Sequence, residues 1–308
     1  MKMEPHSGRA GWSGFRARAW LTLLTAIGVT TVMAMAGDGP KLPPLTTASG
    51  SPRLPGKFVW ADLVTDDVAA ARAFYNQMFD WDFRSYGNYL IAFRDDRPIG
   101  GVFHRDRPAD SKAIPRWFGY LSVNDVEKAR RAVIQAGGRV LAAPAKHAQR
   151  GEQAVFADPE GALFGVLKSS AGDPEDFLAE PGEWIWVQLM SRDARKASDF
   201  YHAVAGYEVV ENTEPNRQSD FVLTSHGFAR ATVRTIAADK PDAQPTWLPF
   251  VRVKDIGDSV ALARKLGGKV LVEPRPEVLD GKMAVVADPR GAAVGILEWQ
   301  PALLKGGR

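Results

Sequence analysis

No cysteine occurs in the chain, which excludes disulfides, thiolate metal sites, cysteine nucleophiles and a lipid-modified cysteine. Histidine is scarce, with five in 308 residues, and no His/Asp/Glu cluster shows metal-ligand spacing. Basic charge is short as well. The formal net charge is +3, and Lys2, Arg9, Arg16 and Arg18 against Glu4 supply all of it before residue 19. A neutral body without a Lys/Arg run argues against nucleic-acid binding. What the chain does have is length and apolar content, 45% of its residues, enough for two domains with ordinary cores.

The main feature is a repeat. Trp60 to Trp81 (WADLVTDDVAAARAFYNQMFDW) returns 126 residues later as Trp186 to Tyr207 (WVQLMSRDARKASDFYHAVAGY). Each copy follows a Pro-Gly and runs as an apolar strand into Asp67 or Asp193. A helix then opens, with apolar residues at Ala71, Phe74, Tyr75 and Met78, or at Ala197, Phe200, Tyr201 and Val204. Three short strands follow, Phe83–Tyr86, Tyr89–Phe93 and Ile99–His104, and then the order restarts. Strand Trp117–Val123 leads to helix Val126–Ala136 with Gly137 as its C-cap, and then to strands Arg139–Ala142, Gln153–Ala157 and Phe164–Leu167. The offset between copies grows from 126 to 130, placing four extra residues around Glu211 to Asp220.

Before the repeats, residues 1–18 are basic, and Ala19–Gly37 is uncharged and mostly apolar, ending in Ala34-Met35-Ala36. This is the layout of a secretory signal cleaved after Ala36, with residues 1–36 removed; uncut, residues 19–36 would tether the chain to a membrane. The expected location is periplasmic or secreted, or anchored in the inner membrane with the body outside the cytoplasm. The domain plan is 1–36 signal or anchor, 37–56 proline-rich linker, 57–169 first domain, 170–182 acidic linker, 183–300 second domain and 301–308 tail. With five prolines and few large apolar side chains, residues 37–56 are expected to be an extended, solvated tether.

Two successive βαβββ units, opened by Asp67…Phe74-Tyr75 and closed by Asp158-Pro159-Glu160-Gly161, then repeated as Asp193…Phe200-Tyr201 and Asp288-Pro289-Arg290-Gly291, resemble the vicinal oxygen chelate superfamily of glyoxalases, extradiol dioxygenases and bleomycin-resistance proteins. The resemblance implies an α+β fold of two domains. In each, two βαβββ modules form a cupped mixed sheet with helices on the outer face and a small-molecule site inside the cup. It also implies pairing of the two domains within the chain, as single-domain relatives pair in homodimers.

The family's metal ligands fall at fixed offsets from these motifs. Here those positions hold Trp60, Phe118 and Gly165 in one domain, and Trp186, Leu248 and Gly295 in the other. None offers an imidazole or carboxylate, so no cofactor is expected, and a divalent metal is not supported by the ligand positions. A fourth position falls near Phe103 or His104, and His104 is either a lone ligand or a surface histidine at a strand end.

Strand alternation sends Trp60 and Asp62 toward the cup and Leu63 toward the helix. With Trp117, Phe118 or Tyr120 across the cup, and Trp186, Gln188 and Phe250 in the second domain, the candidates form an aromatic receptor for a flat or cationic organic molecule. The same aromatics could instead be ordinary core. Asp62 is a candidate general base if its surroundings raise its pKa; Gln188, its counterpart, cannot serve. Gly165 and Gly295 vacate volume for a ligand or for a neighbouring side chain. Three functions follow: a small-molecule-binding module; a glyoxalase-like lyase, isomerase, hydrolase or dioxygenase relative using Asp62 or a non-standard metal site; or an interaction protein without a ligand.

Overall fold

The computed structural model describes residues 42–46, 50–107, 114–213 and 220–300. The signal or anchor segment lies outside them, as do most of the four-residue insertion and the C-terminal tail. Among the described residues no helix is long and apolar enough to cross a membrane.

The first domain runs β1 (Phe58–Thr65), α1 (Val68–Phe79), β2 (Asp82–Tyr86), β3 (Tyr89–Arg94), β4 (Arg97–His104), β5 (Arg116–Ser122), α2 (Val126–Gln135), β6 (Arg139–His147), β7 (Gly151–Ala157) and β8 (Leu163–Ser169). The second repeats it with β9 (Trp184–Ser191), α3 (Ala194–Ala205), β10 (Glu208–Glu211), β11 (Phe221–Ser225), β12 (Phe228–Thr235), β13 (Thr246–Val253), α4 (Ile256–Lys265), β14 (Lys269–Val272), β15 (Met283–Ala287) and β16 (Ala293–Glu298). Each domain is one eight-stranded sheet, ordered β2-β3-β4-β1-β5-β8-β7-β6 and β10-β11-β12-β9-β13-β16-β15-β14. β6 extends to His147, five residues past its expected end, because Ala145 to His147 continue pairing with β7 beyond an irregular stretch.

Local chemistry accounts for the helix ends. Asp67, Asp125, Asp193 and Asp255 are N-caps, each accepting a hydrogen bond from the backbone N–H three residues on. At the end of α2, Gly137 takes φ +84, Gly137 N–H bonds to Ile134 O, and Gly138 N–H bonds to Val133 O. This double return is the Schellman closure, which favours a residue without Cβ at Gly137.

Each helix is covered by its own sheet and by one helix of the other domain. α1 and α4 pack on each other and on their own sheets, and α2 and α3 do the same. One core joins Leu63, Phe74, Tyr75 and Trp117 of the first domain to Val251, Val286 and Ile296 of the second. The other joins Phe156, Phe164 and Val166 of the first to Phe200, Tyr201 and Trp247 of the second. The domains therefore meet through their helix-bearing faces, which leaves the two cups on opposite outer sides.

Repeated positions bond crosswise over this interface. Tyr75 OH reaches Asp288 Oδ2 at 3.4 Å and Tyr201 OH reaches Asp158 Oδ2 at 3.1 Å. Trp81 Nε1 donates to Gly182 O at 2.6 Å, and Tyr207 OH donates to Gly56 O. The two Pro-Gly turns thus receive the aromatic that ends the other domain's opening motif. The acidic linker is held as well: Asp173 is fully buried, accepting from Leu54 N at 2.6 Å and Ser122 Oγ at 2.5 Å.

Candidate functional site

Pleating puts Trp60 and Asp62 of β1 and Phe118 and Tyr120 of β5 on the concave face of the first sheet, in one cluster with Tyr89 of β3. Asp62 is 2% exposed, and its Oδ1 accepts from Tyr89 OH at 2.6 Å and from Trp60 Nε1 at 2.9 Å. Burial pushes its carboxyl up from the ordinary value. The Tyr89 and Trp60 hydrogen bonds and the nearby Arg150 charge pull it back. The Tyr120 hydroxyl is close enough to favour the charged carboxylate, yet it makes no hydrogen bond of ordinary geometry.

Arg150, from the turn between β6 and β7, enters the same cup and is 1% exposed. Its guanidinium carbon lies 3.9 Å from the centre of the Trp60 ring, an ordinary cation–π stack. Trp60 is thus held on its face by a cation and at its N–H by a carboxylate.

Within the proline-rich stretch, residues 42–46 do not form the solvated tether expected from composition, because Leu42 and Leu45 are buried, at 7% and 4% exposure, in the cup of the first domain. Arg150 Nε donates to Pro43 O at 2.8 Å. Burying two leucines contributes about 1.5–3 kcal/mol each, which offsets part of the chain entropy lost when the segment docks. The signal available in the sequence was the spacing: leucines three apart around Pro43-Pro44 fall on one side of a polyproline II turn. Arg150 had no comparable signal, being a lone arginine in a loop.

The family's metal positions come together in the middle of each sheet, and the residues there do not fit a divalent ion. In the first domain they present an indole, a phenyl ring and no side chain. A Cβ at Gly165 would stand 2.2 Å from the Tyr120 ring, so the volume vacated by a carboxylate is taken by that tyrosine. Gly295 stands in the same relation to Phe250, also at 2.2 Å. Gly101 likewise admits Tyr89, whose hydroxyl would lie 1.7 Å from a Cβ there. Among the described residues no three His, Asp or Glu side chains gather to hold a metal. His104 is exposed at the end of β4, 3.0 Å from Asp106 Oδ1, and the adjacent Phe103 takes the cup side. The weak metal candidate is therefore a surface histidine.

Trp117 needs correction. It lies on the opposite face of β5 from Phe118 and Tyr120, where it donates to Tyr75 OH at 2.8 Å and meets the Trp184 ring at 5.2 Å. The period of two places positions 117 and 120 on different faces, so Trp117 belongs to the interdomain core rather than the cup.

The second cup is built alike and, among the described residues, is uncovered. Trp186, Gln188, Leu248 and Phe250 share its concave face, with Phe250 opposite Trp186 and Leu248 opposite Gln188. Trp186 Nε1 and Gln188 Nε2 donate to Thr232 Oγ1, at 3.0 and 3.2 Å. Thr232 stands where the first domain has Gly101, each beside the second polar position of its cup. Leu248 and Phe250 are buried, whereas Trp186, Gln188, Thr232 and Met283 are half-buried, and among the described residues no strap lies over them. A further groove of about 700 Å³ lies outside the first cup, between α1 and the β2–β3 hairpin, lined by Arg72, Asn76, Phe83 and Leu90. It opens to solvent and none of the buried polar groups without a partner lies along it.

The fold and the paired motifs have counterparts among known proteins. The model of the Glyoxalase/Bleomycin resistance protein/Dioxygenase superfamily matches residues 57–166 and again 185–296, so the chain belongs to that family, as a tandem of two such domains. The anthracycline biosynthesis protein DauV of Streptomyces sp. strain C5 is 30% identical over 80% of this chain and 95% of its own length. The anthracycline biosynthesis protein DnrV of Streptomyces peucetius is 29% identical over 79% of this chain and 94% of its own. Among solved structures, a Mn(II)-bound glyoxalase from Novosphingobium aromaticivorans shares the fold with a TM-score of 0.55, at 17% identity over 80% of this chain and 82% of that one.

Proposed function

We propose that this chain is a small-molecule-binding protein of its family that works without a bound metal, and that its site is the open cup of the second domain. The ligand class is a flat aromatic molecule with polar substituents. The observation that carries this reading is the contrast between two equivalent tryptophans: Trp60 is buried beneath Leu42 and Leu45, whereas Trp186 is half-buried in a cup that no such cover reaches among the described residues. A half-exposed indole beside the amide of Gln188 offers a stacking surface with an adjacent polar handle. Two relatives are named for anthracycline biosynthesis, and a fused aromatic ring system is what such a surface suits.

Titration with a hydroxylated anthraquinone tests this. Saturable quenching of tryptophan emission is expected in the wild type and in Trp60→Phe, and its loss in Trp186→Leu. Binding that ignores Trp186, or no saturable binding across planar aromatics, would sink the proposal.

One observation favours an enzyme instead, namely that burial raises the Asp62 carboxyl pKa, the direction a general base needs. That carboxylate is engaged by Trp60 and Tyr89 under the strap, so the catalytic reading requires the strap to leave first. Turnover abolished by Asp62→Asn would decide for it.

We also propose action outside the cytoplasm, on the strength of the basic segment, apolar run and Ala34-Met35-Ala36 that precede the body. A mature N-terminus at Gly37 would agree with this; an intact cytoplasmic chain would not.

A further inference from the structure

We propose that the cup of the first domain is a receptor for an extended Leu-Pro-Pro-Leu segment, and that residues 42–46 fill it in cis as an exchangeable plug. Leu42 and Leu45 point into the cup while Pro43 and Pro44 stay half-buried at its rim. That is the one-sided pattern of a three-residue turn, and the prolines pre-set the extended shape so that little entropy is lost on docking. Recognition follows the usual scheme for such segments, an aromatic-lined groove with a side-chain donor aimed at a proline-side carbonyl. Phe118, Tyr120, Tyr89 and Trp60 supply the groove, and Arg150 Nε supplies the bond to Pro43 O.

Two further groups lie at the polar end of the cup beneath the plug. Arg150 Nη2 and the Tyr120 hydroxyl are buried without a hydrogen-bond partner, on side chains that are 1% and 0% exposed. The plug therefore fills the apolar volume and leaves the polar end of the cup unmet. Among the described residues the second domain has no counterpart, since Phe177 and Leu178 of its preceding linker are exposed rather than inserted into a cup. The plug thus makes one repeat self-occupied and leaves the other accessible.

The test uses the full chain with Leu42→Ser and Leu45→Ser. Released, the segment should be cut by trypsin at Lys41 or Arg53 at least about tenfold faster, and Trp60 emission should shift to the red. A synthetic peptide of residues 40–50 should reverse the emission change saturably in this variant, while the displaced cis segment stays cleavable, and should leave the wild type unaffected. Adding Arg150→Lys should weaken that peptide by about tenfold or more, the worth of one charge-assisted hydrogen bond. If the double serine variant fails to fold, hydrogen exchange of the wild type answers instead. Amides of Leu42, Leu45 and Thr46 should exchange by local opening, well before those of β1 and β5. Unchanged proteolysis and emission in the double variant, no response to the peptide, or exchange of residues 42–46 only with global unfolding would overturn the proposal. Cleavage at Lys41 and Arg53 does not involve Trp186, so the failure of this plug and the failure of the second-cup reading are told apart.

Discussion

The hydroxyl of Tyr201 donates to Oδ2 of Asp158 at 3.1 Å, joining the first helix of the second domain to the closing turn of the first. The same hydroxyl accepts from Trp247 Nε1 at 2.7 Å, and Oδ1 of Asp158 accepts from the N–H groups of Glu160 and Ala162. Tyr75, Trp117 and Asp288 repeat the arrangement on the other side of the interface. The motif residues that carry the family resemblance are thus each other's partners between domains.

Removing either hydroxyl should therefore loosen the interface. Tyr201→Phe leaves Trp247 Nε1 and one carboxylate oxygen buried without their partner, a loss of roughly 1–3 kcal/mol. Tyr75→Phe should cost less, since its bond to Asp288 is longer, at 3.4 Å. Urea denaturation of both variants and their double checks this. Equal stability to wild type would show that the bonds are dispensable.

Charge distribution should make the pairing selective. Arg290 grips Asp66 through Nε and Nη2 at 2.9 and 2.6 Å, whereas on the opposite side Glu160 accepts from Ser191 Oγ and from the N–H groups of Arg192 and Asp193. Pairing two first domains would bring Asp66 against Glu160, and pairing two second domains would bring Arg192 against Arg290. Asp66→Arg and Arg290→Asp should each lower the melting temperature, and the double exchange should recover part of the loss. Recovery should shrink at high salt, as surface ion pairs are screened. Additive losses would count against the pairing role.

Gly165 should tolerate no side chain while Tyr120 is present. Gly165→Ala places a Cβ inside the tyrosine ring's contact distance, an overpacking that costs about 1–3 kcal/mol. Tyr120→Ala in the same chain should remove most of that additional cost, giving a clear coupling in a double-mutant cycle. Additive effects would mean that the ring does not occupy the vacated position.

Asp62 should give stability a specific pH dependence. Its folded-state pKa is raised above the unfolded value by burial, so the folded protein binds its proton more tightly. Its stabilising contribution is complete below the unfolded value and declines as pH rises through the folded one. Asp62→Asn removes that decline, so the stability of the variant relative to wild type should improve from about pH 4 upward, with pH 4 near the unfolded carboxyl value. Urea midpoints of both proteins across pH 4–7 measure it. A constant difference over that range would refute the assignment.

Local patterns in the sequence determined the repeat, the order of strands and helices, the helix caps and the faces of β1 and β9. Each of these depends on spacing along the chain, by the period of two in strands and about 3.6 in helices. Parity also contained the answer for Trp117, which stands one residue from Phe118 and therefore faces the other way. Tertiary structure alone decided what covers each face. It brought Tyr201 to Asp158 across 43 residues and Tyr75 to Asp288 across 213, set Arg150 on Trp60, and laid Leu42 and Leu45 into the first cup while leaving the second open. Periodicity reports the side on which a side chain stands. The partner waiting there is chosen by the closure of the whole chain, in which the best burial for a short Leu-Pro-Pro-Leu stretch is a cup whose strands begin more than ten residues further on.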